Sequence, residues 1–400
     1  THGYVVGGRN TFVSPIVNIS SIERLDYGND TETPLIRGPL STASCQQAGA
    51  GNRSFGYIMG GGDPAKSTVE RIDFGNDTAT AVAKGPLSST RSQFAGAGNQ
   101  DYGYLGAGNP AITTVERIDY SNDTADVLER GSLTYGSRCN AAVGNPHYGY
   151  WGAAKGSGGQ QSIVDRVDYS SDTATSVLKG PLSTTRYEAN ATGNADYGYF
   201  IGGGDPVTSV VDRIDYSSDT TTASPKGPLT DGAIRPGTTG NASYGYVGGG
   251  APPSGGPKST VNRIDYSNDT ATAISISNLT ETADAISGFS SKEDGLSQYS
   301  LTISTPFAFG NNPTVSYPYG YYGDGNNYNT LVERIDYAND NTSPTRRGYL
   351  SAGGGVYVGG VASLNHGYFT GGDVSPNTVI SRVERVDFSN DMVHSSIRGP

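Results

Sequence analysis

The stretch GNADYGYFIGGG, residues 193–204, decides the fold, because close copies of it recur along the whole chain. Its central tripeptide, aromatic-Gly-Tyr, stands at eight places, and histidine replaces the first aromatic residue in the first and last copies. The copies start at residues 2, 55, 102, 148, 197, 244, 319 and 366. Apart from the long interval between the sixth and seventh copies, the spacing between these starts is typical of a repeat architecture, in which each unit buries its apolar surface against its neighbours.

Each unit contains four short strand-like segments separated by turn residues. In the fifth unit, the aromatic strand at 197–201 follows the Gly-Asn-Ala-Asp turn, and a second apolar strand covers 210–216. A Thr-rich strand at 220–224 comes next, and Lys226-Gly227-Pro228-Leu229 closes the unit. No helical periodicity is present. Radial repetition of four-stranded units is the β-propeller architecture. We predict one all-β propeller of eight blades over residues 1–400, with a seven-bladed ring as the alternative.

The order of these motifs resembles Kelch repeats. Tyr-Phe-Ile-Gly-Gly at 199–203, Arg-Ile-Asp-Tyr at 213–216 and the Gly-Pro to Arg segment at 180–186 match the Kelch order, although the usual Kelch tryptophan is missing. The wording of the repeat also resembles arrays in virion proteins of bacteriophages, particularly marine ones. Those arrays repeat segments such as residues 263–272 and 84–88. The resemblances imply a Kelch-like propeller in a virion or another extracellular structure.

Two irregularities concern how the ring closes. The first unit starts at its second strand, so we expect a segment beyond Pro400 to supply the missing strand. The interval between the sixth and seventh copies is 75 residues, and we interpret 274–318 as an insertion in the sixth unit. Part of it, 294–307, faintly resembles another phage-protein repeat. It could be a docking arm for other virion or extracellular proteins, or only loop decoration.

Arginine and aspartate recur at fixed places in every unit. Residues i and i+2 of a strand share a face, and an Arg fork satisfies carboxylates well. We therefore predict structural contacts between blades from the pairs Arg24 and Asp26, Arg71 and Asp73, Arg117 and Asp119, Arg166 and Asp168, Arg213 and Asp215, Arg263 and Asp265, Arg334 and Asp336, and Arg385 and Asp387. A calcium site at Asp119–Asp123 is the alternative, but too few oxygens are available for it. We predict no metal and no cofactor.

Composition excludes several classes of partner. The net charge is −11 over 400 residues, which disfavours binding to nucleic acid or insertion at an anionic membrane. No window of 18 apolar residues could span a bilayer. Cys45 and Cys139 stand at similar places two units apart, too far for a disulfide, so we expect two free, buried thiols. The glycine-rich loops at 60–64 and 202–206 lead into strands, not helices, and do not resemble phosphate loops.

The candidate contact residues are aromatic or basic side chains where the repeat is interrupted: Trp151, Lys155, Phe307, Tyr322 and Tyr328. Exposed aromatic rings suit stacking on sugars or anchoring of a protein. We therefore expect a non-catalytic binding module at a virion surface or outside the cell, whose loops face a cell-surface glycan or a partner protein. The alternatives are a purely structural subunit of a phage particle or fibre, and a polysaccharide-degrading enzyme.

Overall fold

The structure is a computed structural model. It describes residues 2–10 and 16–290, and in the remainder of the chain 319–323, 331–336, 345–350, 359–362, 366–370, 373–375, 378–379, 383–388, 390 and 392–399. The chain forms two compact units, Thr1–Gln298 and Tyr299–Pro400.

The first unit is a six-bladed β-propeller, and each blade is an antiparallel sheet of four strands. The first strands of blades 1 to 6 are Ser287–Ser290, Ala48–Gly51, Ala95–Gly98, Ala141–Gly144, Asn190–Gly193 and Gly237–Gly240. The second strands are His2–Val6, Phe55–Met59, Tyr102–Gly106, Tyr148–Gly152, Tyr197–Ile201 and Tyr244–Gly248. The third strands are Ile22–Asp26, Val69–Asp73, Ile112–Asp119, Val164–Asp168, Val211–Asp215 and Thr260–Asp265. The fourth strands are Leu35–Ile36, Val82–Ala83, Leu128–Ser137, Val177–Leu178, Ser224–Pro225 and Ile274–Asn278.

The four strands follow one another in each sheet, and the first strands of neighbouring blades contact each other around a central channel. In blades 2 to 6 a short 3₁₀ turn links the third strand to the fourth. These turns are Phe74–Asn76, Tyr120–Asn122, Tyr169–Ser171, Tyr216–Ser218 and Tyr266–Asn268. Two small hairpins, Arg9–Asn10 with Val17–Asn18 and Lys155–Gly156 with Gly159–Gln160, extend the loops between second and third strands.

The ring closes after six blades, so the predicted counts of eight and seven are wrong. The first strand of blade 1 is Ser287–Ser290, which pairs with His2–Val6 so that Gly3 lies opposite Ser290. The segment expected beyond Pro400 is therefore not what closes this ring. The span interpreted as an insertion begins with the fourth strand of blade 6 and then supplies the closing strand. Its remainder, 291–318, lies outside the described residues.

Each junction between blades is held by a buried aspartate in or just after the turn that follows the third strand. The tyrosine of aromatic-Gly-Tyr donates to it at 2.8–3.1 Å, and the third-strand arginine donates to it at 2.7–2.8 Å. Tyr and Arg come from one blade, and Asp comes from the next. The sets are Tyr4, Arg24 and Asp77; Tyr57, Arg71 and Asp123; Tyr104, Arg117 and Asp172; Tyr150, Arg166 and Asp219; Tyr199, Arg213 and Asp269; and Tyr246, Arg263 and Asp30.

The predicted arginines thus contact the neighbouring blade in the first unit, but their predicted partner was wrong. The first aspartate of each pair shares a strand face with the arginine and instead caps the following turn. Its Oδ1 accepts from the backbone N–H two residues later at 2.8–2.9 Å. A short loop with unpaired N–H groups follows each third strand, and a carboxylate is the natural acceptor for them.

The recurring Gly-Pro-Leu element also belongs to the junction. In blade 4, Gly180 donates its N–H to the carbonyl of Asp219 in the next blade at 2.8 Å. A Cβ at Gly180 would lie 1.7 Å from the carbonyl oxygen of Thr221, so no side chain fits there. The same close approach occurs at Gly38, Gly85, Gly131 and Gly227.

The second unit contains two further blades. The described strands of the first are Tyr319–Gly323, Leu331–Asp336 and Thr345–Tyr349. Those of the second are Gly359–Ala362, His366–Thr370, Val383–Asp387 and Ser396–Gly399, with a small hairpin of Asp373–Ser375 and Thr378–Val379. Val332, Leu350 and Val386 form a buried apolar cluster in this unit.

Candidate functional site

The two ends of the propeller differ in how similar the turns and loops of the individual blades are to one another. At one end, the turn between first and second strands is the same in blades 2 to 6. Its asparagine Oδ1 accepts from the N–H groups two and three residues later at 2.8–3.0 Å. These asparagines are Asn52, Asn99, Asn145, Asn194 and Asn241. Five equal Asx turns leave this end nearly uniform.

The opposite end carries the loops between second and third strands, and these vary between blades, although blades 2 and 5 share Gly-Gly-Gly-Asp-Pro. The loop has five residues in blade 3 (107–111) and eleven in blade 4 (153–163). Backbone bonds hold the loops beside the segments that enter the first strands: Gly62 donates to the Cys45 carbonyl at 2.6 Å, and Gly204 donates to that of Tyr187 at 2.7 Å. Variable loops on a rigid frame are the usual location of binding residues.

Six residues at this end form a ring around the channel mouth, which we call the collar. Each stands two positions before a first strand, and each donates its N–H to the carbonyl of the collar residue in the preceding blade at 2.6–2.9 Å. The bonds run in a closed circle. The collar consists of Gln46, Gln93, Cys139, Glu188, Arg235 and Ala285.

Every collar residue is in the left-handed backbone conformation, with φ between +53° and +59°. This conformation costs an L-residue roughly 1–2 kcal/mol, and only glycine adopts it freely. Glycine would form the same backbone bond, and the chain contains 58 glycines, yet none occupies the collar. Retained strain of this kind points to a role for the side chains.

The collar side chains form two polar networks. On one side, Arg235 contacts Asp284 at 2.6 Å and Glu188 at 3.5 Å, and Arg9 contacts the other oxygen of Asp284 at 3.2 Å. Asp284 is fully buried. On the other side, Gln93 Oε1 accepts from Arg138 Nη1 at 3.2 Å and from the Cys139 thiol at 3.4 Å.

Positive charge predominates at this mouth. In the two networks the cations are Arg9, Arg138 and Arg235 and the anions are Glu188 and Asp284, which leaves one positive charge in excess, and Lys155 lies beside them. The whole chain has a net charge of −11. The collar therefore combines amide and guanidinium groups with a local excess of positive charge.

Both cysteines are buried and free, as predicted. Cys139 is a collar residue, and Cys45 stands one position before the collar residue Gln46. Burial, with a smaller contribution from the Glu188 carboxylate, raises the pKa of Cys139 to about 12. Burial likewise raises the pKa of Cys45. Both groups are therefore neutral thiols near neutral pH, and neither has the character of a nucleophilic thiolate.

The channel behind the collar has an empty volume of about 970 Å³, counted with its open mouth. Mostly small residues line it, among them Gly49, Gly96 and Ala191. Two buried amides also reach it. Gln47 donates to the Val6 carbonyl and Asn140 donates to Ser137, each at 2.9 Å, and the amide oxygens of both have no hydrogen-bond partner.

The structure places the contact residues predicted from sequence in different environments. Trp151 is 1% exposed, and its indole N–H donates to the Ala95 carbonyl at 3.1 Å, so its prediction as an exposed contact was wrong. The ring is large enough to fill the space between blades 3 and 4. Lys155 lies in the blade-4 loop, where its Nζ is 4.4 Å from the centre of the Tyr187 ring. It pairs through its backbone with Arg138, beside the collar. Tyr322 is in a described strand, and Tyr328 and Phe307 lie outside the described residues.

Within the described part of the chain, no cluster of three or more His, Cys, Asp or Glu residues is arranged to hold a metal ion. The same residues include no helix of the length and apolarity that a membrane crossing requires. A scan against protein-family models found no match for this sequence, and a search of curated proteins found none either.

The sequence interpretation missed the collar, although a signal for it is present. In blades 2 to 6 the collar residue stands nine positions before the first aromatic residue of aromatic-Gly-Tyr. Alignment of the repeats on that tripeptide gives the column Gln46, Gln93, Cys139, Glu188 and Arg235. The column varies between blades and is polar throughout, with glutamine at two of the five places, whereas the tripeptide nine positions later hardly varies.

Proposed function

We propose that the chain is a non-catalytic binding module of a virion or another extracellular structure, and that the collar face contacts the ligand. One observation carries the proposal: six strained positions around the channel mouth hold side chains where glycine would relieve the strain. The backbone bonds of the collar do not involve those side chains, although Arg235 also pairs with the buried Asp284. A ligand that uses them explains why the strain persists.

The chemistry of the mouth favours a cell-surface glycan that carries acidic groups. The excess of positive charge at the mouth attracts a carboxylate or a sulfate, and arginine forks bind such groups through two parallel bonds. Amides such as that of Gln46 suit sugar hydroxyls, because they both donate and accept. The resemblance to Kelch repeats and to phage virion repeats supports the extracellular setting of this proposal.

The test is binding to a panel of neutral and acidic bacterial surface glycans, followed by calorimetry with two collar-face variants. Gln46→Gly removes an amide and relieves strain, and Lys155→Met removes a positive charge. We expect saturable binding to acidic glycans, weakened about tenfold or more by each variant, in line with the loss of one or more charged hydrogen bonds. Arg53→Met is the matched control, since it removes the same charge at the opposite end.

Four results would count against the proposal. Equal binding by wild type and both collar-face variants would place the ligand elsewhere. Binding to a partner protein with none to any glycan would contradict the ligand class. Release of reducing ends from the bound polysaccharide would identify an enzyme. Failure to bind any surface would favour the purely structural subunit.

A further inference from the structure

Every blade of the propeller joins its loop between second and third strands to the residue directly before the collar. The loop residue donates its N–H to the carbonyl of that residue at 2.6–2.9 Å. The pairs, with the loop residue first, are Arg9 and Asp284, Gly62 and Cys45, Asn109 and Ser92, Lys155 and Arg138, Gly204 and Tyr187, and Ala251 and Ile234. The six pairs occupy equivalent places, so their side chains can be compared from blade to blade.

The pair in blade 1 shows where the frame directs two charged side chains. Arg9 and Asp284 exchange both backbone bonds, at 2.9 and 3.1 Å, as residues directly opposite each other in an antiparallel ladder do. Such residues share a face, and Nε of Arg9 lies 3.2 Å from Oδ1 of Asp284. Two opposite charges at this place therefore neutralise each other across the pair. In blades 2, 3, 5 and 6 the pair contains no charged residue.

The pair in blade 4 is the exception, because both members are cations. Arg138 and Lys155 exchange both backbone bonds, at 3.0 and 2.9 Å, and like charges directly opposite each other destabilise a sheet. Each cation lies against a neutral group. Arg138 Nη1 donates to Gln93 Oε1 at 3.2 Å, and Lys155 Nζ is 4.4 Å from the centre of the Tyr187 ring. The frame thus places two positive charges where blade 1 places an ion pair.

The two carboxylates at the channel mouth pair with other arginines. Glu188 pairs with Arg235 at 3.5 Å, and Asp284 pairs with Arg235 at 2.6 Å and with Arg9 at 3.2 Å. Among the residues that the structure describes, neither Arg138 nor Lys155 has a carboxylate at ion-pair distance. A bound anion would relieve the repulsion between these two adjacent cations.

The small hairpin that carries Lys155 is fixed from both sides. Toward blade 3, the Tyr135 hydroxyl accepts from the Gly158 N–H at 3.1 Å, and a Cβ at Gly156 would lie 2.0 Å from a carbon of the Tyr135 ring. The ring therefore packs directly on the hairpin backbone. Toward blade 5, Gln160 Nε2 donates to a carbonyl of the next loop at 2.8 Å. The backbone at Lys155 is in place before a ligand arrives, which lowers the ordering cost of binding.

We propose that Arg138 and Lys155 form an anion subsite for the acidic group of a sugar, either the carboxylate of a uronic acid or a sulfate ester. Both groups have two or more oxygens that share the charge, so one group accepts from the arginine fork and from the ammonium at the same time. The bound anion supplies to the blade-4 pair the charge that Asp284 supplies in blade 1. The subsite rests on the proposed function for the glycan that carries the group, but small anions suffice to test it.

The experiment is calorimetric titration of the 400-residue chain with sodium glucuronate and, separately, with sodium sulfate, at an ionic strength kept constant with sodium chloride. We expect saturable binding of at least one anion, with half-saturation on the order of 1–10 mM, since so small a ligand gains little free energy. Arg138→Asp recreates the charge pattern of Arg9 and Asp284, and Lys155→Met removes one cation. Each should weaken binding about tenfold or more, in line with the loss of a charged hydrogen bond. Arg53→Met, at the opposite end of the propeller, is the matched control and should leave the affinity unchanged.

Thermal unfolding of the same variants separates loss of the subsite from loss of folding. Arg138→Asp should leave Tm unchanged or raise it, because the new carboxylate pairs with Lys155 as Asp284 pairs with Arg9. Lys155→Met introduces no new charge, so it tests the subsite independently of that pairing. Weaker anion binding at an unchanged Tm therefore reports on the two cations and not on the fold.

The subsite and the proposed function fail in different ways. No saturable binding of either anion to the wild-type chain would overturn the subsite, as would binding that both variants leave unchanged. Glycan binding that does not depend on Arg138 or Lys155 would also overturn it, while the binding module would stand. Anion binding that depends on both residues, without binding to any glycan, would support the subsite and contradict the proposed ligand.

Discussion

The closure of the ring at six blades can be tested through one hydrogen bond. Tyr246 in blade 6 donates to Asp30 Oδ2 in blade 1 at 2.9 Å, and Arg263 donates to the same oxygen at 2.7 Å. Burial, followed by the Asp30 carboxylate, raises the pKa of Tyr246, so its hydroxyl keeps the proton that it donates. The two residues are 216 positions apart in sequence, and only a ring that closes here brings them together.

A double-mutant cycle with Tyr246→Phe and Asp30→Asn measures this contact. Tyr246→Phe removes one bond to a charged acceptor, which costs about 1.5–3 kcal/mol. Asp30→Asn weakens that bond and the one from Arg263, and we expect a loss of about 2–3 kcal/mol, since solvent around the arginine reduces the effect. The coupling between the two changes should be about 1 kcal/mol or more.

The assay is urea unfolding followed by tryptophan fluorescence. Trp151 is the chain's single tryptophan, and it is buried in the first unit, so its signal reports on the propeller alone. The control cycle pairs Asp30→Asn with Tyr368→Phe, and these changes should be additive within about 0.5 kcal/mol. In an eight-bladed ring, Tyr368 would be the residue that binds Asp30. Coupling to Tyr368 and none to Tyr246 would therefore refute closure at six.

Three further predictions concern the frame. Gly180→Ala should destabilise the propeller by about 2 kcal/mol or more in urea unfolding, because the new Cβ would overlap a backbone carbonyl of the next blade. Gly28→Ala is the control: the atom nearest to its new Cβ is 3.4 Å away, so stability should change by less than about 0.5 kcal/mol. Trp151→Phe should cost about 2 kcal/mol in thermal unfolding, from the lost indole bond and the unfilled volume, and should leave glycan affinity unchanged. Burial alone would raise the pKa values of Asp123 and Asp219, but the Lys, Tyr and Arg groups that bind these carboxylates outweigh burial and lower both pKa values. The stability that they contribute is therefore complete above the unfolded pKa of about 3.9 and is lost as the pH falls through the lower folded values. Tm should hold from about pH 7 to 5 and drop below about 4, and a Tm that rises on acidification would contradict this.

The four-stranded unit and its turns could be predicted from sequence because they depend on local chemistry. Asparagine and glycine mark the hairpin turns, and period-2 patterns mark the strands. The number of blades could not be predicted in this way, because the same Tyr, Arg and Asp serve every junction. Only the closing strand Ser287–Ser290 reveals the count, and its sequence SGFS does not resemble AGAG at 48–51.

The aspartate partners of the arginines were predicted wrongly for a related reason. Reasoning from i and i+2 along a strand selects Asp26 for Arg24, because both stand on one face. The acceptor is Asp77, 53 positions away, which a 3₁₀ turn of the next blade directs toward the junction. Contacts between successive repeats join residues about one repeat period apart. The partner of an arginine is therefore found by comparing its unit with the next unit, not by reading along its own strand.

The two kinds of repeated position explain why the collar is the best candidate for function. A junction residue such as Tyr150 must satisfy Asp219 in the next blade, so every blade needs the same residue and little freedom remains. The backbone N–H and carbonyl groups that close the collar do not involve its side chains, so these can differ in each blade, although Arg235 also pairs with Glu188 and the Cys139 thiol donates to Gln93. The frame on its own would favour glycine there. The presence of Gln, Cys, Glu and Arg at a backbone angle that disfavours them must therefore be explained by what those side chains contact at the channel mouth.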